Sequence, residues 1–181
     1  VVNIITKRGG EGIHGAAEGA LGTEGYMSGG LNLSGGNEIG DFSLGYKGVT
    51  FEGTTTASED FGNTEEDDWT NHALSGRFGL NILGDGRADL VLNYIDDNAE
   101  LDGFAGFNPA DDPNYEQKRE NFVGKLELSK PIAEWYTQSV TLGLAREVSE
   151  GEDPDTAANN YEITSETRSV TLRSDLFPFE G

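Results

Sequence analysis

Carboxylates are the only abundant reactive side chains in this sequence. It holds 33 Asp and Glu against 12 Lys and Arg, with two His and no Cys, for a net charge of −21. Three polar stretches near 51–70, 96–119 and 147–162 carry seven, seven and six of the acids, opposed only by Lys118 and Arg119. The remaining 13 acids face ten basic residues, so the stretches are the acidic part of the chain. Oxygen-rich loops suit hard cations, since calcium takes six to eight oxygen ligands at about 2.3–2.6 Å. The same density also fits a plainly solvated acidic surface, and no EF-hand-like spacing occurs. Both readings stand on the residues alone.

No other chemistry is assembled. His14 and His72 lie in separate segments without partner spacing and read as structural. There is no nucleophile–base–orienter set, paired acid/base constellation or phosphate-cradling glycine loop, so an enzyme is not expected. The lack of Cys removes thiolate metal sites and disulfide staples. Phosphates need a cationic surface, so the acidity argues against a nucleic-acid partner.

The elements that must carry these acids show in the hydropathy pattern. Phe122, Gly124, Leu126 and Leu128 alternate with Val123, Lys125, Glu127 and Ser129. The same two-residue rhythm runs through 73–82, 88–95 and 136–145, more weakly through 27–33, 42–48 and 170–173, and in a Gly/Ala-rich form through 13–21. Strict alternation predicts eight strands, each with one wet face. Between them, brief turns at Ser34–Gly40, Leu83–Arg87 and Lys130–Trp135 alternate with the long acidic stretches, and Gly22–Gly25 joins the first two strands. Short turns at one end and long loops at the other is the layout of an outer-membrane barrel.

Composition narrows the class. Hydrophobic residues other than glycine make up 35% of the chain, and 26 Gly supply much of the rest of its apolar content. Nine Phe, six Tyr and two Trp spread through alternating segments argue against disorder. No apolar run approaches the ~20 residues of a membrane helix, whereas a barrel strand shows only every second residue to lipid. A soluble antiparallel sandwich with acidic loops is the alternative. Against it, the polar face is rich in Ser, Thr, Gly and Ala, as expected of a wall that packs on a plug or lines a wet lumen. Trp69, Trp135, Tyr26, Tyr94 and Tyr136 fall near strand ends, where an interfacial aromatic girdle sits. Asp89, Arg77, Lys125, Glu127, Arg173 and Asp175 fall on the polar face, free to pair with a plug or with one another.

The opening Val1-Val2-Asn3-Ile4-Ile5-Thr6-Lys7-Arg8-Gly9-Gly10 resembles the end of the plug in TonB-dependent outer-membrane receptors, which leads straight into a Gly/Ala-rich first barrel strand. The resemblance implies that 1–10 is the end of a plug domain. Residues 11–181 would then be the N-terminal part of a transmembrane β-barrel, about eight strands of a 22-stranded, plugged wall completed by further sequence or another chain. It also implies uptake of a scarce small-molecule nutrient across the bacterial outer membrane, driven by TonB gripping a plug segment this chain lacks.

The stretch Ile95–Tyr115 looks most like the third loop of the cobalamin (vitamin B12) receptors, which bind calcium through Asp side chains of their second and third loops. Carried over residue by residue, Asp102 and Asp112 match the third-loop ligands, and Glu65 and Asp67 fall near the second-loop pair. One of those is Glu where the family has Asp, and a one-residue shift selects Glu66 and Asp68. Beyond calcium no cofactor is implied. The rival readings are a ferric-siderophore or haem receptor of the same family, a complete eight-stranded structural or adhesion barrel, and a soluble calcium-dependent β-sandwich.

Overall fold

All eight alternating segments form strands in the computed structural model, which describes residues 8–55, 57–82 and 84–177. They are β1 (Gly12–Leu21), β2 (Met27–Gly36), β3 (Gly40–Phe51), β4 (Trp69–Ile82), β5 (Gly86–Glu100), β8 (Glu116–Ala133), β9 (Tyr136–Glu152) and β10 (Tyr161–Leu176). Between β5 and β8 a small hairpin intervenes, β6 (Gly103–Ala105) with β7 (Asn108–Ala110). The eight long strands make one antiparallel sheet in sequence order, with β1 and β10 at its edges. Residues Val1–Lys7, which carry most of the plug-end resemblance, lie outside the described residues.

Several strands run further than the sequence expectation. β5 runs on to Glu100, β8 starts at Glu116, and β9 and β10 take in half of the stretch expected as a loop at 147–162. There the side chains are polar on both faces, so the backbone ladder continues where the hydropathy rhythm has stopped. The hairpin β6–β7 was not visible as alternation because its strands are only three residues long.

Register assigns every side chain to a face. One row of cross-strand partners runs Ile13, Gly35, Phe42, Phe78, Leu90, Leu126, Leu142, Val170. A row on the other face runs His14, Ser34, Ser43, Arg77, Val91, Lys125, Gly143, Ser169. The sheet is a single layer. Among the described residues only Val49 and Ala57 are buried hydrophobics, while Phe78, Leu80, Leu74, Leu142 and Leu172 stand exposed on the apolar face at 43–73%. A sheet in water buries its apolar face against another layer, and an uncovered apolar surface this broad marks contact with something else.

The apolar band does not follow the hydrogen-bonded rows. Its upper limit is Leu21 and Met27 on β1 and β2, Tyr94 and Phe122 on β5 and β8, Leu144 on β9 and Val170 on β10. Val170 shares a row with Ile13, eight positions below Leu21, and the shift accumulates over the seven steps between eight strands. That is about 26 Å along the strands against about 34 Å across them, so with the band level the strands tilt by roughly 40° from its normal. The next positions of the same face above the band on β5, β8, β9 and β10 are Asp96, Glu120, Arg146 and Arg168, all charged.

The polar face compensates its own charges. Arg77 meets Asp89 at 2.7 Å, and Arg87 meets both Asp89 and Asp41, tying β3, β4 and β5 together. Lys125 pairs with Glu127 at 2.8 Å and Arg173 with Asp175 at 2.9 Å. Trp69 departs from the girdle expectation. It shares the polar face with Asn71, and its Nε1 donates to Asp97 Oδ1 at 2.7 Å. Tyr94 does sit at the top of the apolar band, and Trp135 stacks on Tyr136 at its lower end.

Candidate functional site

Antiparallel order sends the three long connections to one end of the sheet: Glu52–Asp68 between β3 and β4, Leu101–Tyr115 between β5 and β8, and Asp153–Asn160 between β9 and β10. The first folds back on itself. Gly53 adopts φ +81°, and a Cβ there would clash with the Asp67 carbonyl, so this close return needs glycine. Asp67 is buried at 8% exposure, while Glu66 and Asp68 face solvent. Of the two registers left open by the sequence, Glu65 and Asp67 are the pair turned inward. Asp68 serves through its backbone, its N–H donating to Glu100 Oε2 at 2.9 Å.

Glu65, Asp102 and Asp111 converge, each offering a carboxylate oxygen within 4.8 Å of the others. Asp102 and Asp111 meet because Gly103 pairs with Ala110 at the base of the β6–β7 hairpin, which sets the two flanking residues opposite each other. Asp111 Oδ2 accepts the N–H groups of Thr64 (2.9 Å) and Glu65 (3.3 Å), and Asp102 Oδ2 accepts that of Ala57. Asp111 Oδ1 and Glu65 Oε2 are buried with no donor among the described residues. Burial, then Asp111, Asp67, Asp102 and Glu100, push the Glu65 carboxyl above its ordinary value. Two ionised carboxylates at this spacing repel by roughly 3 kcal/mol at an effective dielectric of about 20. A bound divalent cation would offset that cost.

Asp112 stands apart from the three. Its carboxyl is raised by burial and then by Asp153, against a lowering backbone bond from Asn114, with Asp155 and Asp102 adding to the rise. It faces the β9–β10 connection, which Asn114 also meets by donating Nδ2 to Asp155 Oδ2 at 2.9 Å. That connection is built on Asp153, 1% exposed, whose carboxylate accepts from Asp155 N–H, Thr156 N–H and Asn159 Nδ2 at 2.7–2.8 Å. Burial alone would raise Asp153, but the bonds from Thr156, Asn159 and Asp155 hold it below the usual range.

Comparison with family models, with curated proteins and with solved structures finds no match for this chain. The functional reading accordingly rests on the residues and their geometry.

Of the residues expected from the sequence, Glu65 and Asp102 come together, Asp67 adjoins them, Asp112 sits one residue off and Asp68 points away. Asp111, Glu100 and Asn63 went unnoticed. Asp111 had a readable signal, because a two-residue turn at Gly106-Phe107 closes a hairpin that sets it across from Asp102.

The oxygen-only donor set suits calcium, a hard cation. Glu65, Asp102 and Asp111 would hold it, with Asp67 and Glu100 adding negative charge nearby.

Proposed function

We propose that this chain is part of the wall of a TonB-dependent outer-membrane receptor that takes up a scarce nutrient, with cobalamin the foremost candidate. In this reading the apolar band meets lipid, the polar face lines a filled, watery interior, and the acidic connections lie outside the cell. The chain works by binding and passage rather than by catalysis. TonB acts on a plug segment elsewhere in the receptor, and calcium held by Glu65, Asp102 and Asp111 stiffens the outer loops around the nutrient.

The observation that carries the reading is the single-layer sheet whose apolar band slides about one residue per strand. A slab of hydrocarbon meeting strands tilted by 35–45° requires such a slide, whereas a sandwich core needs an opposing sheet. Chain direction adds support. Segment Arg8–Gly10 crosses β2, since a Cβ at Gly9 would clash with the carbonyls of Gly35 and Phe42. The Gly10 oxygen lies 3.1 Å from where a Gly36 Cβ would point, on the polar side. The polypeptide ahead of β1 thus comes from the side where a plug would sit.

The test is uptake by the full-length protein in a cell lacking its own cobalamin receptor. Growth on trace cobalamin should be restored, only when TonB is present, with the protein in the outer-membrane fraction. Recovery in the soluble periplasm would sink the barrel. Correct insertion without cobalamin binding would keep the barrel and move the substrate to an iron chelate or haem.

A further inference from the structure

Asn63 is 6% exposed and engages both ends of its side-chain amide. Its Nδ2 donates to Ser58 O at 2.9 Å and to Pro109 O at 3.1 Å, and its Oδ1 accepts from Asp111 N at 3.1 Å. One amide thus ties the β3–β4 connection to itself and to the outgoing arm of the β6–β7 hairpin, on both sides of Ala110. Asparagine suits the place because it alone offers two donors and an acceptor on so short a side chain. All three bonds are neutral, so this join needs no charge to be compensated, in contrast to the carboxylates beside it. Its neighbours are ordered through it: Asp111 caps the N–H groups of Thr64 and Glu65.

We propose that Asn63 is a positioning residue that joins the two acidic loops and fixes the spacing of Glu65, Asp102 and Asp111. A cation then meets oxygens already assembled instead of gathering two separate loops. Ordering done in advance is not charged against binding, so affinity rises without a new ligand. The benefit to calcium rests on the reading above; the join between the loops does not.

The experiment uses the full-length protein, with amide hydrogen exchange read at 57–67 and 102–111, first in chelator and then with calcium added. Wild-type loops stay protected in chelator. Asn63→Ala speeds exchange at Glu65 and Asp111 tenfold or more there, while β4 and β5 keep their protection and so report an intact wall. Added calcium partly restores protection in the variant, with an affinity at least tenfold weaker although every carboxylate is retained.

Wild-type loops that gain protection only with calcium overturn the proposal, as does an Asn63→Ala protein that exchanges like wild type. A wild-type protein that ignores calcium while keeping Asn63-dependent protection upholds the join and overturns the calcium reading alone.

Discussion

At the scale of single residues, the acidic end of the sheet contains carboxyls perturbed in opposite directions. Glu65 is raised, chiefly by burial and then by Asp111, Asp67, Asp102 and Glu100. A raised acid stabilises the folded loops in its protonated form. That contribution is complete below the unfolded value of about 4.3 and vanishes as pH climbs through the folded value. Asp153, held low by donated hydrogen bonds, contributes above its unfolded value and loses that contribution only as pH falls through its depressed one. Without divalent cation, exchange in 57–67, corrected for intrinsic chemistry, should therefore accelerate as pH rises from about 4.3, without reaching the rate of Asn63→Ala, while the β9–β10 connection stays protected. Calcium replaces the proton, so its affinity should increase over that same window. Asp111→Asn should weaken calcium at least roughly tenfold, the loss that even a supporting residue around a metal produces, whereas Asp68→Ala, out in solvent, should leave it unchanged. Calorimetric titration reads both, and equal affinities in the two variants would remove the site.

At the scale of elements, the face assignment can be tested at adjacent positions of one strand. Leu92 lies in the central apolar row with Gly76 and Gly124, and Asn93 lies on the polar face with Ser75 and Val123. An arginine facing lipid near the bilayer midplane costs roughly 2–4 kcal/mol, while lumen positions tolerate charge. Leu92→Arg should cut folded, heat-modifiable protein in the membrane severalfold or more, and Asn93→Arg should leave it near wild type. Equal tolerance of both would mean that neither face meets hydrocarbon. The strands were legible in the sequence because a sheet with unlike surroundings on its two faces must alternate, as Leu126 and Lys125 do. The outer ends of β8, β9 and β10 were not legible, since Glu116–Glu120 and Glu147–Glu152 meet polar surroundings on either side and leave no rhythm. In the site, Glu65, Asp67 and Asp102 came from resemblance, whereas Asp111 depended on a three-residue hairpin. Asn63 gave no signal, because a lone Asn in a polar loop looks like any other until its partners arrive from 46 to 48 residues away.

At the scale of the whole molecule, the open edges decide the architecture. β1 and β10 each have one neighbour in the sheet, and a strand in hydrocarbon cannot leave its backbone groups unpaired. Two closures satisfy this. In the proposed receptor, further strands intervene between β10 and β1. In a complete eight-stranded barrel, the two edges would pair directly, and the slope of the apolar band suits that closure too, since the slide per strand is similar for either size. Leu21 and Val170 mark the top of the band on the two edges, so direct closure would bring them to one level. These 181 residues contain no Cys, so in a full-length background with any other Cys replaced by Ser, Leu21→Cys with Val170→Cys is a clean pair. A disulfide needs Cβ atoms about 3.5–4.5 Å apart. In the membrane-inserted full-length protein, mild oxidation should leave both thiols free and reactive toward a membrane-permeant maleimide. As a positive control, Leu126→Cys with Leu142→Cys, direct partners on β8 and β9, should cross-link readily. A disulfide between β1 and β10 as efficient as the control would assign the chain to a closed eight-stranded barrel, whose interior is only wide enough to be filled by its own side chains, and would remove both plug and nutrient passage at once.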